Sequence, residues 1–321
     1  MKVIDILRER QGKPFASFEL VPPLKGSDAA KLYDVLKPLM DFRPPFLNVT
    51  CHRDEVEFHP NADGTYSKLT LTRRPGTIAI VAAIMQRFPG VEIVPHVICG
   101  GASRHHVESE LLDLYFLGME NVMALRGDAM PGQRYFIAEP DGFSHTNELV
   151  EMISNLNKGC YLDPNVKNGQ ATDFCVGVAA YPEKHFEAAN MDVDIANLRR
   201  KVEAGADYVV TQMFFDNDCF YRFVEACREA GITVPIIPGL KPLSAMRQLD
   251  MLPRTFHIDI PQPLVDRLQH CRDAADVYAV GTEWCMQQSR DLIAHGVPAI
   301  HYYTMGRTDN VRTVVSEVFG S

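Results

Sequence analysis

The stretch "EIVPHVICGGASRHHVESELLDLYFLGMENVMAL", residues 92–125, decides the fold. An apolar run (92–99) gives way to Val107, Leu111 and Leu114 at helical spacing, and a second apolar run (121–125) follows. Ser103 is placed to cap the helix and Gly118 to end it. The runs are continuous rather than alternating, as strands buried on both faces should be.

Six more runs repeat the pattern: "FASFEL" (15–20), "FLNVT" (46–50), "CVGVAA" (175–180), "YVVTQMFF" (208–215), "VPIIP" (234–238) and "AIHYYT" (299–304). Helical patterns follow. Leu32, Val35, Leu36 and Leu39 come after a candidate N-cap at Ser27; Ile78, Val81, Ala82 and Met85 form the next, Phe220, Phe223, Val224 and Cys227 another, and Val311, Val314, Val315 and Val318 the last. Other helices are predicted to begin near Asn147, Asp192 and Ser244, with one more over about 277–295. Eight βα units without a shift in composition predict one α/β domain over 1–321, a closed (β/α)8 TIM barrel rather than an open doubly wound sheet. The polar stretches 53–72 and 128–146 become long loops after strands two and four, on the face where such barrels carry their sites.

Asp plus Glu outnumber Lys plus Arg by 41 to 32, a net charge of -9, which opposes a nucleic-acid or anionic-membrane partner. The eight cysteines are scattered singly and read as reduced. Charges interrupt "MKVIDILRERQGK" where a signal peptide needs an apolar core, and no segment is apolar for long enough to span a bilayer, so a cytoplasmic location is expected. That setting also weighs against reading Arg126-Gly127-Asp128 as an adhesion triplet.

In a barrel the strand ends bring Glu19, Thr50, His96, Arg126 with Asp128, Tyr181, Gln212 and Arg307 to one mouth. The chain has no GxGxxG, GxxxxGK or HExxH, and its His and Cys spacings match no zinc site, so neither a Rossmann turn, a Walker loop nor a metal is expected. In "DIANLRRKVEAG", Asp194, Asn197, Arg200 and Lys201 share one arc of a helix, beside an apolar arc of Ile195, Leu198 and Val202. Such an arc is either a solvated face or a grip for phosphate and ribose.

The blocks "FASFELVPP", "NVT", "PH", "ALRGD", "AAYPEKH", "DIANLRRKVEAGAD", "TQMFFD", "IIPGLKP" and "HYYTMGR" resemble, in order and across essentially the whole chain, the bacterial methylenetetrahydrofolate reductases. The resemblance implies an FAD-binding barrel that reduces 5,10-methylenetetrahydrofolate to 5-methyltetrahydrofolate with NADH or NADPH in ping-pong order. It implies flavin contacts at Thr50, Cys51, His96, Arg126, Gly127, Asp128, Thr146, Tyr181, His185, Asp194, Asn197, Arg200 and Lys201. Glu19 resembles the catalytic acid, Asp128 the carboxylate beside flavin and pterin, Gln212 the pterin amide and Arg307 the cation facing the folate glutamate. Met246 stands where an aromatic often stacks on the folate, Cys51 where Tyr usually follows "VT", and His145-Thr146 where Tyr-Ala is usual. A homo-oligomer is implied, and a further regulatory domain answering to adenosylmethionine is not expected. Rival readings are a proline dehydrogenase-type FAD barrel and a binding protein that has kept the barrel without catalysis.

Overall fold

The apolar runs close on one another. The computed structural model describes residues 1–130 and 133–320. A first helix, Val3–Glu9 (α1), precedes Phe15–Leu20 (β1), Ala29–Met40 (α2) and Phe46–Val49 (β2). A hairpin follows, Glu55–Pro60 (β3) and Tyr66–Leu71 (β4), then Thr77–Arg87 (α3), Glu92–Ile98 (β5), Arg104–Phe116 (α4) and Asn121–Leu125 (β6). The second half runs through Thr146–Leu156 (α5), Cys175–Ala180 (β7), Met191–Glu203 (α6), Tyr208–Met213 (β8), Asn217–Glu229 (α7) and Ile236–Leu240 (β9). After Gln248–Phe256 (α8), Gln262–Gln269 (α9) and Ala274–Ala294 (α10) come Ala299–Tyr303 (β10) and Asp309–Phe319 (α11).

Eight parallel strands close in the order β1-β10-β9-β8-β7-β6-β5-β2, the expected barrel. Its wall buries residues on both faces, so the strands lack polar alternation. Inside, Phe15, Phe46, Val94, Met123, Tyr208, Val210 and Ile237 pack with Val3, Ile6 and Leu7, so α1 plugs the end where the strands begin. Gly239 lets the wall close: a Cβ there would stand 2.2 Å from the Thr211 carbonyl oxygen and 2.5 Å from the Tyr303 ring. Among the described residues no helix is long and apolar enough to cross a membrane.

Several expectations are corrected. The cap of α2 is Asp28, which accepts from the Ala30 N–H at 2.9 Å, rather than Ser27. Ser103 does cap α4, accepting from the His106 N–H at 3.3 Å. Residues 53–72 are no plain loop, because β3 and β4 pair antiparallel around a turn at Asn61–Thr65 with Gly64 at φ +82°. The Asp63-Gly64 pair is a hairpin signal, and Val56 and Phe58 alternate with Glu55, Glu57 and His59 before it, a short period-two pattern in a ribbon whose faces are largely exposed. The short helices α1 and α9 were not anticipated. The stretch 128–146 carries no strand or helix among its described residues before α5 starts at Thr146, and Pro131 and Gly132 lie outside them.

Candidate active site

The barrel interior changes character along its axis. Two residues beyond the apolar positions Phe15, Phe46, Val94 and Ala299, the period-two rule of a strand puts Ser17, Asn48, His96 and His301 on the same inner face. All four are buried. Ser17 Oγ meets His301 Nδ1 at 2.9 Å, and the Asn48 amide nitrogen meets His96 Nε2 at 3.3 Å. The His301 Nε2 and Asn48 Oδ1 atoms have no hydrogen-bond partner among the described residues. Strand register sets Glu19 level with Tyr303 on one side and Asn48 on the other, and Thr304 Oγ1 donates to the Glu19 carbonyl at 2.8 Å.

Burial raises the Glu19 carboxyl to about 8. Burial lowers His96 to about 3, and His301 likewise to about 3. The 3.8 Å approach of Glu19 Oε2 to His96 Nε2 is therefore no ion pair at neutral pH; it sets a protonated acid beside a neutral imidazole. An acid kept protonated near neutral pH is what general-acid catalysis requires.

A second group surrounds β6 and β7. Arg126 pairs with Glu187 at 2.6 Å and lies over the Phe136 ring at 5.1 Å. Gly127 turns at φ +85°, a conformation that suits glycine, and delivers exposed Asp128 to the rim. Tyr181 stands edge-on to His185 at 4.6 Å. The His185 N–H donates to Asp194 in the first turn of α6 at 2.8 Å, and Lys201 Nζ donates to the Ala179 carbonyl at 2.6 Å. Burial lowers Lys201 to about 8, against the opposing pull of Asp194. Arg200 is exposed and donates to Asn197 at 2.8 Å. The arc on α6 is thus divided, with Lys201 turned into the barrel wall and Arg200 out to solvent.

The other expected residues are less gathered. Thr50 Oγ1 meets His52 Nε2 at 3.0 Å. The Cys51 thiol is raised to about 11 by burial, with Glu110 of α4 adding to the effect, so it lies on the helix side of the wall rather than beside Glu19. Thr146 opens α5 without a side-chain cap before it. Gln212 Oε1 accepts from the Met213 N–H at 2.9 Å. Met246 is 43% exposed, and Arg307 lies exposed beyond β10. Among the described residues no group of three or more His, Cys, Asp or Glu is placed to hold a metal ion.

Ser17, Asn48, His301, Tyr303, Glu187 and Lys241 were not singled out from the sequence; stepping back by two from Glu19 would have found Ser17. Lys241 follows β9, buried, with no hydrogen bond or ion pair among the described residues. Burial lowers it from 10.5 to about 8, and Arg307 adds to the effect. A base with a lowered folded-state value weakens the fold fully below that value, and the loss is relieved as pH rises from 8 towards 10.5. Lys241→Met is therefore expected to stabilise the protein by up to about 3 kcal/mol at pH 7 and by little at pH 10.5, measured by urea unfolding. Equal stability of the two proteins at pH 7 would mean that the ammonium is compensated.

A closed barrel with a buried acid, neutral histidines and a buried lysine at one mouth has the layout of a small-molecule barrel enzyme. A family model described as methylenetetrahydrofolate reductase matches residues 3–318, and the chain belongs to that family. It is 30% identical over 304 residues to the Escherichia coli 5,10-methylenetetrahydrofolate reductase, covering 94% of this chain and 90% of that protein. It is 31% identical over 317 residues to the Arabidopsis thaliana methylenetetrahydrofolate reductase (NADH) 1, covering 95% of this chain and 48% of the plant protein. The chain thus spans about half the length of the plant relative and, at 45%, of a Schizosaccharomyces pombe relative. A Clostridium thermocellum structure, described as an uncharacterized protein that binds two copies of 5-methyl-5,6,7,8-tetrahydrofolic acid, shares the fold at a TM-score of 0.58 and 13% identity, over 98% of each chain.

Proposed function

We propose that this chain reduces 5,10-methylenetetrahydrofolate to 5-methyltetrahydrofolate with electrons from NADH or NADPH, FAD being the carrier. One observation carries the reading: Glu19, raised to about 8 by burial, is an acid held ready at the mouth beside a neutral His96. The names of the relatives point to the same substrate and differ between NADH and NADPH as donor.

The donor set fits a flavin dinucleotide. Lys201, with Asp194 beside it on the wall side of α6, offers a cation to a diphosphate, Arg200 and Asn197 offer a second cation and a hydroxyl partner from the solvent side, and the bare turn at Gly127 permits close approach of a flat ring. When bound, FAD would take a hydride from the nicotinamide cofactor and pass it to the folate.

The chain's own residues would do the rest. Glu19 gives its proton to N10 of the folate, opening the five-membered ring and leaving a cation at N5. Asp128 at the rim favours that cation. Gln212 has used only its oxygen, on the Met213 N–H, so its amide nitrogen is available to the pterin or to a nicotinamide carboxamide. Arg307 offers a cation to the folate glutamate. Two substrates sharing Gln212 must alternate, which gives ping-pong kinetics. An anaerobic absorption experiment tests the reading: NADH or NADPH should bleach the flavin bands, and methylenetetrahydrofolate should restore them. Bleaching without restoration by folate, or a protein that binds no FAD, would overturn it.

A further inference from the structure

The turn after β7 is joined twice to the segment after α8. Glu183 Oε2 accepts from the Asp259 N–H at 2.8 Å. Three residues beyond Glu183, Phe186 stacks on His257, with centroids 4.4 Å apart and planes 26° apart. Phe186 also stacks on His185 at 4.9 Å, and His185 stands edge-on to Tyr181 at 4.6 Å. Four rings thus make successive contacts from the group around Asp194 and Lys201 to the end of α8.

This contact lies outside the apolar cluster that buries Leu252 of α8 and Ile258 after it. Phe186 is 44% exposed, and a groove of about 530 Å³, lined by Glu183, Asp216, Cys219, Arg222 and Asp259 among others, separates α7 from the segment. The apolar side of the segment, at Ile258, packs instead with Leu252 and Leu264. His257 also ends α8 at φ +53°, a left-handed conformation that a non-glycine residue adopts at some cost.

At its other end α8 is tied to the loop that carries Met246. Gln248 Oε1 accepts from the Ser244 N–H at 2.7 Å and from the Ala245 N–H at 3.1 Å. A continuous path therefore leads from His185 through Phe186, His257 and α8 to Met246.

We propose that the Phe186–His257 stack and the Glu183–Asp259 bridge form a clamp by which the flavin-side turn positions α8 and, through it, the folate-side loop at Met246. Phe186 and His257 are positioning residues, and the kinetic part of this inference rests on the function proposed above. Phe186→Ala should raise the KM for methylenetetrahydrofolate about three- to tenfold, the range that one aromatic pair supplies, while flavin reduction by the nicotinamide cofactor keeps its rate. Phe186→Tyr should restore the KM, and His257→Phe, which keeps a ring on Phe186, should stay near the native value.

Hydrogen exchange over residues 246–260, read in the full chain by mass spectrometry, gives a second test that needs no turnover. It should quicken by a similar factor in Phe186→Ala and return in Phe186→Tyr. Native exchange and native KM in Phe186→Ala would overturn the clamp. So would loss of flavin with unchanged exchange, since Phe186 would then act on the cofactor rather than on α8. A native protein that ignores folate while the exchange result holds would fail the proposed function and leave the clamp standing.

Discussion

Glu19→Gln is expected to bind FAD and to accept electrons from the nicotinamide cofactor at the native rate, yet to lose reoxidation by methylenetetrahydrofolate by about 10²- to 10⁴-fold, the usual worth of a general acid. The amide matches the carboxylic acid in shape and can donate an N–H, but it has no proton to release. His96, lowered to about 3, is neutral at working pH and holds no proton in reserve that could replace the lost one. In the native protein the folate half-reaction should also slow as pH rises through about 8, where Glu19 ionises, while flavin reduction need not follow. Anaerobic stopped-flow absorption separates the two halves. Reoxidation of Glu19→Gln at the native rate would remove Glu19 from the acid role.

The second large effect is expected on α6, and the structure divides it unequally. Lys201 lies in the wall with its ammonium on the Ala179 carbonyl, whereas Arg200 is exposed. A charge-assisted contact sheltered from water contributes about 1.5 to 3 kcal/mol, so Lys201→Ala should weaken FAD binding roughly 10- to 150-fold. An exposed contact is worth about 0.2 to 1 kcal/mol, and Arg200→Ala should cost no more than about fivefold. Flavin content after dialysis, followed by titration of the stripped protein with FAD, measures both. A Lys201→Ala protein that keeps its full flavin would remove the polar arc of α6 from the flavin site.

The barrel was legible because most wall strands are largely apolar runs and most of the longer helices keep an apolar stripe. Those patterns arise from burial alone and need no knowledge of partners. The ribbon β3–β4 escaped because its period is carried by two residues only, Val56 and Phe58, and their partners across the ribbon, Thr70 and Lys68, do not repeat it. Helix α1, with seven residues, is too short to show a period, and its apolar side has meaning only once the barrel bottom exists to receive it.

The candidate site was legible at its rim and not in its depth. Glu19, Arg126 and Tyr181 stand at or beside the ends of apolar runs, where a change of character marks a strand end, and His96, inside the run 92–99, is the one member of the deep layer that the sequence also offered. Ser17 and His301 lie inside such runs and pass for tolerated polar residues until closure of the sheet sets them 2.9 Å apart. Lys241 hid differently: between leucine and proline it looks like the start of a solvent loop, and only the packed structure shows that it is buried. Cys51 alternates with Asn48 and so falls with Val49 on the helix side of the wall, a parity that the sequence already carries.

The helix α1 makes the barrel a cup with one opening. Val3, Ile6 and Leu7 stopper the far end against Phe15, Phe46 and Tyr208, so the layer of Ser17, Asn48, His96 and His301 is a cul-de-sac. On the proposed function, a proton given up by Glu19 would have to be replaced from the open mouth, the same side from which a substrate would enter.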